Sequence, residues 1–480
     1  MGAAEGSPPP AAVVVGGGIS GLLAARELVR AGVRTTVLEA SGEWGGCVGR
    51  HVVGGLTLDS GAESFATRSS AVADLAAELG LAAEIVAPNP GGAWVQLPEG
   101  PRELPRTGVL GIPANPWDPE VRRSLGTLGS LRASFDALLP GSLGTRGADT
   151  SVSALVRARM GRRVLERLVA PVVGGVHSAD PAVLDVDMVA PGLRAGMRQH
   201  GSLAAAVAAQ RGGARGKKAG SAVAGLRGGM HTLVSALLAD LREGGVTLLN
   251  RTRADAVERT AGGWRVRSGD LNYDAGLLVV AVEGPAAVDL LSAALPELAS
   301  RRPAPGPDVS LVTLVVDLPA LGSAPRGTGV LVAPQSPGIA AKALTHATAK
   351  WGWLAEQTAP GTHVLRLSYG RAERPAAGRT SAAPPDTEPR TDADLFEAAL
   401  QDASALLAVP VREGSVLAWD VVRWSGALPF ASLGHRRRVA EVREICAADG
   451  TLAVVGGWLS GNGLAAIVAD TPKVLRPLLP

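Results

Sequence analysis

The 480-residue sequence predicts an α/β fold, α+β over the whole chain, organised around a parallel sheet near its start. Residues 13–15 are a run of valines suited to a parallel strand that is buried on both faces. Glycines follow in G-x-G-x-x-G spacing at 16, 18 and 21, where a helix over 19–31 is predicted to begin. A second strand is predicted over 33–38. This order of strand, glycine turn, helix and strand is that of a Rossmann-like βαβ unit.

Each glycine of this turn has a separate physical role. Gly16 permits the tight turn, Gly18 lacks a Cβ that would keep a pyrophosphate off the backbone, and Gly21 lets the helix press against the strand. The helix N-terminus offers free N–H groups and a positive dipole end to the phosphates. Glu39, about 20 residues further on, can accept hydrogen bonds from both ribose hydroxyls. The unit predicts a dinucleotide, with FAD and NAD both open at this step.

Composition argues against a nucleic-acid-binding protein, a disulfide-rich secreted protein and a membrane-spanning protein. A hydrophobic content of 46% and a net charge of +3 fit a folded protein of two or three domains without a nucleic-acid partner. Cys47 and Cys446 provide neither a disulfide framework nor metal-ligand spacing, which suits a reducing cytosol. The first ten residues lack a signal-peptide pattern. Charges and prolines interrupt the apolar run 277–298, so we expect peripheral membrane contact at most.

Two further glycine turns follow the first unit. Gly45 and Gly46 come just past Glu39, and Gly61 lies in the polar stretch 59–65. Glycine at such a turn allows a ligand to approach the backbone closely. Three turns of this kind in one part of the chain predict a long cofactor that lies across the edge of the sheet.

The rest of the chain shows a mixture of helical and strand periodicity. Predicted helices cover 71–81, most of 121–210, 392–407 and the chain from 464; predicted strands cover 246–249, a hairpin 255–267, 277–282, 311–316, 329–332 and 364–368. The Pro/Gly-rich region 88–119 is expected to hold short strands. The stretches 211–220 and 371–390 are predicted to be surface loops.

The last helix is predicted to begin at a second glycine-rich turn, 461–463. A helix N-terminus here can stabilise negative charge at the N1/O2 edge of a reduced isoalloxazine ring, which favours FAD over NAD. The predicted architecture has three parts. They are a discontinuous FAD-binding domain over 1–85, 225–295 and 440–480, a helical lobe over 86–224, and a β-rich, mixed-sheet substrate domain over 296–439.

Several stretches carry a family resemblance over nearly the whole chain. They are residues 13–40, 59–65, 174–177, 225–230, 350–351, 423–429 with 434–435, and 456–464. The sequence resembles the FAD-dependent porphyrinogen oxidases of haem synthesis, within the amine oxidase and phytoene desaturase superfamily. The resemblance implies an amine-oxidase-like fold and a six-electron oxidation of a porphyrinogen substrate, with molecular oxygen as acceptor and hydrogen peroxide as product. It also implies a cytoplasmic location and a ferrochelatase downstream.

The resemblance also implies roles for individual residues. The pyrophosphate is held by Gly16, Gly17, Gly18, Ile19, Ser20 and Gly21; the ribose and adenosine by Glu39 and Ala40; the ribityl and flavin region by Gly46, Cys47, Gly61, Ala62, Glu63 and Ser64; the adenine by the backbone of Val257; and the flavin by Trp424, Gly461, Asn462, Gly463 and Leu464. No catalytic side chain and no metal are expected, because hydride transfer occurs at flavin N5. Candidate ligands of the substrate are Arg102, Arg106, Gly175, Lys342 and Lys350.

The sequence departs from the family pattern in two places. Glu43 stands where members usually carry an arginine before Gly45-Gly46, so Arg50 or backbone N–H groups would have to neutralise the pyrophosphate. The stretch 429–431, Pro-Phe-Ala, stands where Pro-Gln-Tyr is common. Because of the second departure, a role toward substrate or flavin that the family pattern implies for Gln and Tyr does not carry over to Phe430 and Ala431.

Likeness to the enzymes of Gram-positive type predicts coproporphyrinogen III as the substrate. This substrate carries four carboxylates, whereas protoporphyrinogen IX carries two, so its pocket mouth must be more basic and more open. The arginines that fit this need are Arg102, Arg106, Arg194 and Arg198. Three alternatives stay open. They are oxidation of protoporphyrinogen IX, another flavin oxidase or desaturase acting on amines or carotenoids, and a non-enzymatic binding protein on the same fold.

Overall fold

The computed structural model describes residues 11–105, 108–145, 147, 149–212, 223–370, 391–426, 432–461 and 463–479. Its strands are β1 (Ala11–Val15), β2 (Arg34–Leu38), β3 (Arg50–Val53), β4 (Leu56–Asp59), β5 (Phe65–Ala66), β6 (Ile85–Val86), β7 (Trp94–Leu97), β8 (Gly100–Glu103), β9 (Gly108–Val109), β10 (Ile112–Pro113), β11 (Val223–Leu226), β12 (Thr247–Leu249), β13 (Ala256–Thr260), β14 (Gly263–Ser268), β15 (Leu271–Ala275), β16 (Leu277–Val280), β17 (Val309–Asp317), β18 (Gly329–Val332), β19 (Ala343–His346), β20 (Thr362–Tyr369), β21 (Val416–Trp424) and β22 (Leu452–Val454). Its helices are α1 (Ile19–Arg30), α2 (Ala71–Glu78), α3 (Pro119–Ser134), α4 (Val152–Arg159), α5 (Arg162–Val164), α6 (Ala170–His177), α7 (Val186–Val189), α8 (Leu193–His200), α9 (Leu203–Gly212), α10 (His231–Glu243), α11 (Gly284–Leu291), α12 (Ala347–Lys350), α13 (Gly352–Ala355), α14 (Asp392–Leu407), α15 (His435–Asp449), α16 (Gly457–Ser460) and α17 (Leu464–Leu475).

A parallel sheet in the order β12-β2-β1-β16-β22 joins segments that are far apart in the sequence. Val14 pairs with Val37 on one side and Val279 on the other, and all three are fully buried. Val14 packs in the same core as α1 on one face. On the other face Val13 packs in the core of the antiparallel β13-β14-β15 layer, which holds Trp264. The valine run is therefore buried on both faces, as predicted.

A larger mixed sheet in the order β21-β17-β20-β19-β18-β7-β8 forms the second layer system. Helix α14 covers one face, where Leu395 packs in a core with Val312 and Leu365. Strands β7 and β8 lie in the Pro/Gly-rich region 88–119, where short strands are predicted, and β7 pairs in parallel with β18 of the mixed sheet. Val95 and Leu97 alternate as buried positions along β7, which suits a sheet rather than a helical lobe.

Helices α3 to α9 pack around an apolar core of their own. One buried ion pair crosses this lobe: Arg159 Nε lies 2.5 Å from Asp136 Oδ1, and neither side chain is more than 1% exposed. The same guanidinium donates to the carbonyl oxygens of Pro140 at 2.7 Å and Gly201 at 3.3 Å. The buried charge is thus balanced, and its donors are paired.

Several predicted elements match the structure closely. Helix α14 has the predicted bounds 392–407, whereas the predicted hairpin 255–267 is extended by β15 to a three-stranded layer. Strand β21 and helix α15 were not predicted. Residues 211–212 end α9, while the rest of the predicted loop 211–220, the loop 371–390 and the departure at 429–431 lie outside the described residues.

Within the described ranges, none of the helices is long and apolar enough to cross a bilayer.

Candidate cofactor and substrate site

The glycine turn between β1 and α1 has the geometry that its spacing predicts. Gly16 has a φ of 106°, and a Cβ on Gly21 would lie 1.8 Å from the Gly16 carbonyl oxygen, so helix and strand pack closely because both are glycine. A Cβ on Gly18, in contrast, would meet nothing within 4 Å. Ile19 and Ser20 begin α1 as buried residues. In the described part of the chain no side chain caps this helix end, so its N–H groups face open space beside Gly18.

Glu39 follows β2 directly and faces the same turn. Its Oε2 accepts a hydrogen bond from Gly17 N at 2.7 Å, and its Oε1 accepts one from Ser41 N at 2.7 Å. A carboxylate offers about four acceptor positions, so these bonds orient Glu39 and leave capacity for ribose hydroxyls. Ala40 is the residue between Glu39 and Ser41 in the sequence. The ring of Trp44 covers Gly17, where a Cβ would approach a ring carbon at 2.5 Å.

The second and third glycine turns lie against the first. A Cβ on Gly46 would be 3.4 Å from Gly18 Cα. The carbonyl oxygen of Cys47, an exposed residue, accepts a hydrogen bond from Ala62 N at 2.8 Å. A Cβ on Gly61 would lie 2.3 Å from the same carbonyl oxygen, so this approach also requires glycine. The three turns predicted separately therefore form one continuous surface.

A short loop of residues 59–64, called here the 59–64 loop, joins that surface to the mixed sheet. Four predicted cofactor residues lie in it: Gly61, Ala62, Glu63 and Ser64. Trp424, the last residue of β21, donates from Nε1 to Ser60 O at 2.8 Å. Glu63 Oε1 lies 2.5 Å from Lys350 Nζ. The predicted flavin residue Trp424 and the predicted substrate residue Lys350 both contact this loop.

The start of α17 supplies a second helix N-terminus in the same domain. Gly461 and Gly463 have φ values of 100° and 115°, and a Cβ on either would meet nothing within 4 Å. Leu464 is buried in the same core as α1, against which α17 packs. Asn462 lies outside the described residues. Val257 is buried in β13, beneath the opposite face of the parallel sheet.

The predicted substrate residue Gly175 lies where the helical lobe meets the mixed sheet. A Cβ on Gly175 would lie 2.6 Å from Leu331 Cδ2 on β18. Two residues later, burial lowers the pKa of His177 to about 4, so this imidazole is neutral at pH 7. Both residues belong to α6.

The four predicted cations are in different environments. Lys342 is 2% exposed and its Nζ donates to Ser178 Oγ, which corrects its expected position at an open pocket mouth. Lys350 is engaged by Glu63. Arg102 is exposed and donates from Nη1 to the neighbouring Pro101 carbonyl at 2.8 Å. Arg106 lies outside the described residues.

Comparison with known proteins assigns the fold and the family. Residues 19–469 match the family model of flavin containing amine oxidoreductases. The chain belongs to this family. It is 30% identical over 96% of both chains to a Mycobacterium leprae protein named coproporphyrinogen III oxidase, and 29% identical over 95% of this chain and 88% of the relative to a Propionibacterium freudenreichii protein of the same name. A solved structure from Exiguobacterium is similar with a TM-score of 0.81 and 25% identity, covering 98% of this chain and 99% of that one.

As a flavin amine oxidoreductase, the chain is an FAD-dependent oxidoreductase, and its described residues fit that cofactor. The space beside Gly18 and the uncapped N-terminus of α1 suit a pyrophosphate. The open space beside Gly463 and the uncapped N-terminus of α17 suit the electron-rich edge of the ring system. Glu39, held by hydrogen bonds from Gly17 N and Ser41 N, is the candidate acceptor for the hydroxyls of an unphosphorylated ribose. These residues are the candidates for holding the dinucleotide at its two ends.

Two carboxyl groups of the 59–64 loop, those of Asp59 and Glu63, differ in their pKa values. Burial raises the pKa of Asp59 to about 6, although hydrogen bonds from Met230 N and His231 N at the start of α10 oppose the rise. Burial also favours the neutral form of Glu63, but Arg366 and Lys350 outweigh it and hold the pKa of Glu63 at about 2. Glu63 therefore stays ionised at every ordinary pH, whereas Asp59 titrates near pH 6.

Sequence reasoning missed Trp44 and Arg366. Trp44 packs on Gly17, but an aromatic residue in a glycine-rich loop carries no pattern of its own. Arg366 lies on β20 and donates from Nη1 to Gly61 O at 2.9 Å. The available signal was an arginine flanked by leucines within a strand.

Proposed function

We propose that the chain oxidises coproporphyrinogen III to coproporphyrin III, with molecular oxygen as acceptor. The support is the full-length likeness to relatives named coproporphyrinogen III oxidase, together with the fit of the described residues to FAD. The substrate loses six electrons and six protons. Each two-electron step consumes one O₂ and releases one H₂O₂, so one turnover consumes three O₂ and releases three H₂O₂.

For this reaction the protein has to orient the substrate and exclude water from the site. It does not need acid or base side chains to the same degree. When bound, the cofactor would supply a hydride acceptor at flavin N5, for a substrate carbon whose neighbouring N–H or C–H can lose a proton. The chain holds FAD through its glycine turns and Glu39, and Trp424 fixes the 59–64 loop. His177 is neutral at pH 7 and adds no charge near α6. No side chain is proposed to transfer the reacting hydrogen.

The substrate carboxylates need cationic partners at the entrance to the site. Among the predicted cations, Arg102 has an exposed side chain, whereas Lys342 is buried. Arg194 is also buried and donates from Nε to Asp187 Oδ2 at 3.0 Å, so it supports the fold of the lobe rather than a basic mouth. We propose Arg102 as a carboxylate ligand, with Arg106 of the neighbouring segment as a second candidate.

The proposal predicts a yellow protein as purified, with flavin absorption and no added cofactor. Addition of coproporphyrinogen III should cause uptake of O₂ and release of an equimolar amount of H₂O₂. A peroxidase-coupled assay measures the H₂O₂. The ratio of kcat/KM for coproporphyrinogen III and protoporphyrinogen IX, measured at one oxygen concentration, reports differential transition-state binding. The ratio should favour coproporphyrinogen III.

Other results would point to the other functions. A preference for protoporphyrinogen IX would replace the substrate and keep the chemistry. Turnover of amines or carotenoids, with no activity on either porphyrinogen, would indicate a different flavin oxidase. Folded protein that retains FAD but releases no peroxide with any of these substrates would favour a binding function.

We further propose that the reaction takes place in the cytoplasm, with peripheral membrane contact at most, and that a ferrochelatase acts downstream. Cell fractionation tests the location. Recovery of most of the protein in a membrane fraction that salt does not extract would contradict it.

A further inference from the structure

The 59–64 loop is held by backbone contacts from the mixed sheet. Arg366 Nη1 donates to the carbonyl oxygens of Gly61 at 2.9 Å and Asp59 at 3.3 Å. Trp424 Nε1 donates to the intervening Ser60 carbonyl at 2.8 Å. Successive carbonyl groups of the loop thus accept hydrogen bonds from two different strands, β20 and β21.

An ion cluster adds side-chain contacts to the same loop. Glu63 Oε1 lies 2.5 Å from Lys350 Nζ, and Glu63 Oε2 lies 3.2 Å from Arg366 Nη2. The three side chains are only 14%, 16% and 16% exposed, so solvent screens these charges weakly. With two cations on one carboxylate the cluster carries a net charge of +1, so both cations depend on Glu63 as their shared counter-charge.

Lys350 is itself fixed by its surroundings. Its carbonyl oxygen accepts a hydrogen bond from Asn89 N at 2.8 Å, and its ammonium group lies 5.1 Å from the ring centroid of Trp351. That ring is also confined, since a Cβ on Gly225 would approach it at 2.7 Å. Glu63 accepts from this ammonium group at 2.5 Å, and breaking that largely buried ion pair to seat a substrate carboxylate in its place would be costly.

We propose that Glu63, Lys350 and Arg366 are positioning residues that lock the 59–64 loop, and with it the flavin-side wall of the site, onto the mixed sheet. Lys350 is thereby assigned to Glu63 and not to a substrate carboxylate. The cluster acts through the loop, because Gly61 and Ala62 contact Cys47 on the adjoining glycine turn. This role rests on the FAD site and holds whichever substrate the site accepts.

The test compares Glu63→Gln, Lys350→Met and the double variant in the full-length holoenzyme. FAD affinity is measured from the fluorescence of FAD released on dilution, and KM and kcat are measured with coproporphyrinogen III. Asp289→Asn is the matched control, because it neutralises one acid of an exposed pair whose Arg302 Nε lies 2.7 Å away. The control should keep the parent FAD affinity.

We expect Glu63→Gln to weaken FAD binding at least tenfold, because it leaves two buried cations without their acid. Lys350→Met should weaken it less, since Glu63 keeps Arg366. The double variant should bind FAD no worse than Glu63→Gln, and KM should stay within twofold throughout. If Glu63→Gln fails to fold, the FAD affinity and KM of Lys350→Met can still be compared with those of the parent.

Two results would overturn the inference. One is parent FAD affinity in Lys350→Met together with a tenfold higher KM, which would make Lys350 a ligand of the substrate. The other is strictly additive losses of FAD affinity in the double variant, which would show that Glu63 and Lys350 act separately. A wrong substrate assignment would change the KM values but not the FAD affinities, so the two failures are distinguishable.

Discussion

At the first glycine turn, some residues are needed for cofactor binding and others for folding. Gly18 has extended backbone angles and open space at its Cβ position, so Gly18→Val should fold but fill the proposed pyrophosphate space and abolish FAD retention. Glu39→Ala removes charge-assisted hydrogen bonds worth roughly 1.5–3 kcal/mol, which weakens FAD binding by about one to two orders of magnitude. Flavin absorbance per protein after gel filtration measures retention.

The control for this prediction is Gly21→Val. Its Cβ would lie 1.8 Å from a backbone oxygen, so this variant should lose thermal stability even without FAD. Equal FAD affinity in Gly18→Val and Glu39→Ala would mean that the cofactor lies elsewhere.

A buried histidine pair should make the fold sensitive to acid. Burial and, to a lesser extent, the charge of the neighbouring His363, whose Nδ1 lies 3.1 Å from His346 Nε2, together lower the pKa of His346 to about 4. The unfolded chain takes up this proton near pH 6.5, so the stability is complete above pH 6.5 and is lost progressively as the pH falls to 4. The loss attributable to His346 is roughly 3 kcal/mol at most.

Thermal unfolding between pH 4 and pH 7 measures this effect. His346→Leu should lose less stability over that range than the parent, while His200→Gln, which changes an exposed histidine, should follow the parent. A parallel pH profile for His346→Leu and the parent would contradict the assignment.

The residues that could be predicted from sequence are those whose signal is local. Gly18 and Glu39 belong to one βαβ unit, in which spacing alone sets which groups face the ligand. Glu63 and Lys350 are 287 residues apart, so their contact depends on how the mixed sheet packs on the loop. Basic residues were therefore recognised as candidates, but their partners were not.

At the scale of elements, the helical lobe depends on the ion pair between α4 and the segment after α3. Arg159→Met would leave the buried Asp136 carboxylate with the Ala204 N–H, 2.8 Å away, and without its cation. Removing one partner of such a pair typically costs about 3–5 kcal/mol. The midpoint of urea unfolding should fall accordingly.

Arg162→Met is the matched change in the same lobe, because it removes an exposed i,i+4 pair with Glu166. This variant should unfold close to the parent. If both variants shifted the midpoint equally, the buried pair would have no special role in the lobe.

Elements were predicted best where periodicity was strong and packing simple. Helix α14 begins at a capping box between Thr391 and Asp394, which marks its start in the sequence. Short strands were predicted in 88–119, but the partner of β7 was not, because a four-residue strand carries little information about its partner. Its place beside β18 is set by tertiary pairing and has no local signal.

At the scale of the whole molecule, we propose that the FAD-binding domain is discontinuous, as residues 1–85, 225–295 and 440–480. A protease site introduced within 211–220 tests this on the full-length protein. The nicked chain should stay together on gel filtration, because β1 and β2 pair with β16 and β12 from beyond the cut. Release of 1–224 as a separate folded unit would contradict the proposed division.

The strand order of the parallel sheet has a consequence for the chain as it leaves the ribosome. Strand β16 offers an unpaired edge until β22, which ends at Val454, has been made. Translation at about 5–20 residues per second takes roughly 9 to 35 s to pass from Val280, the end of β16, to Val454. Through this interval the nascent chain carries an apolar strand edge, and its two FAD-facing helix starts are not yet together. We therefore expect holdase chaperones, rather than the cofactor, to protect this protein during its synthesis.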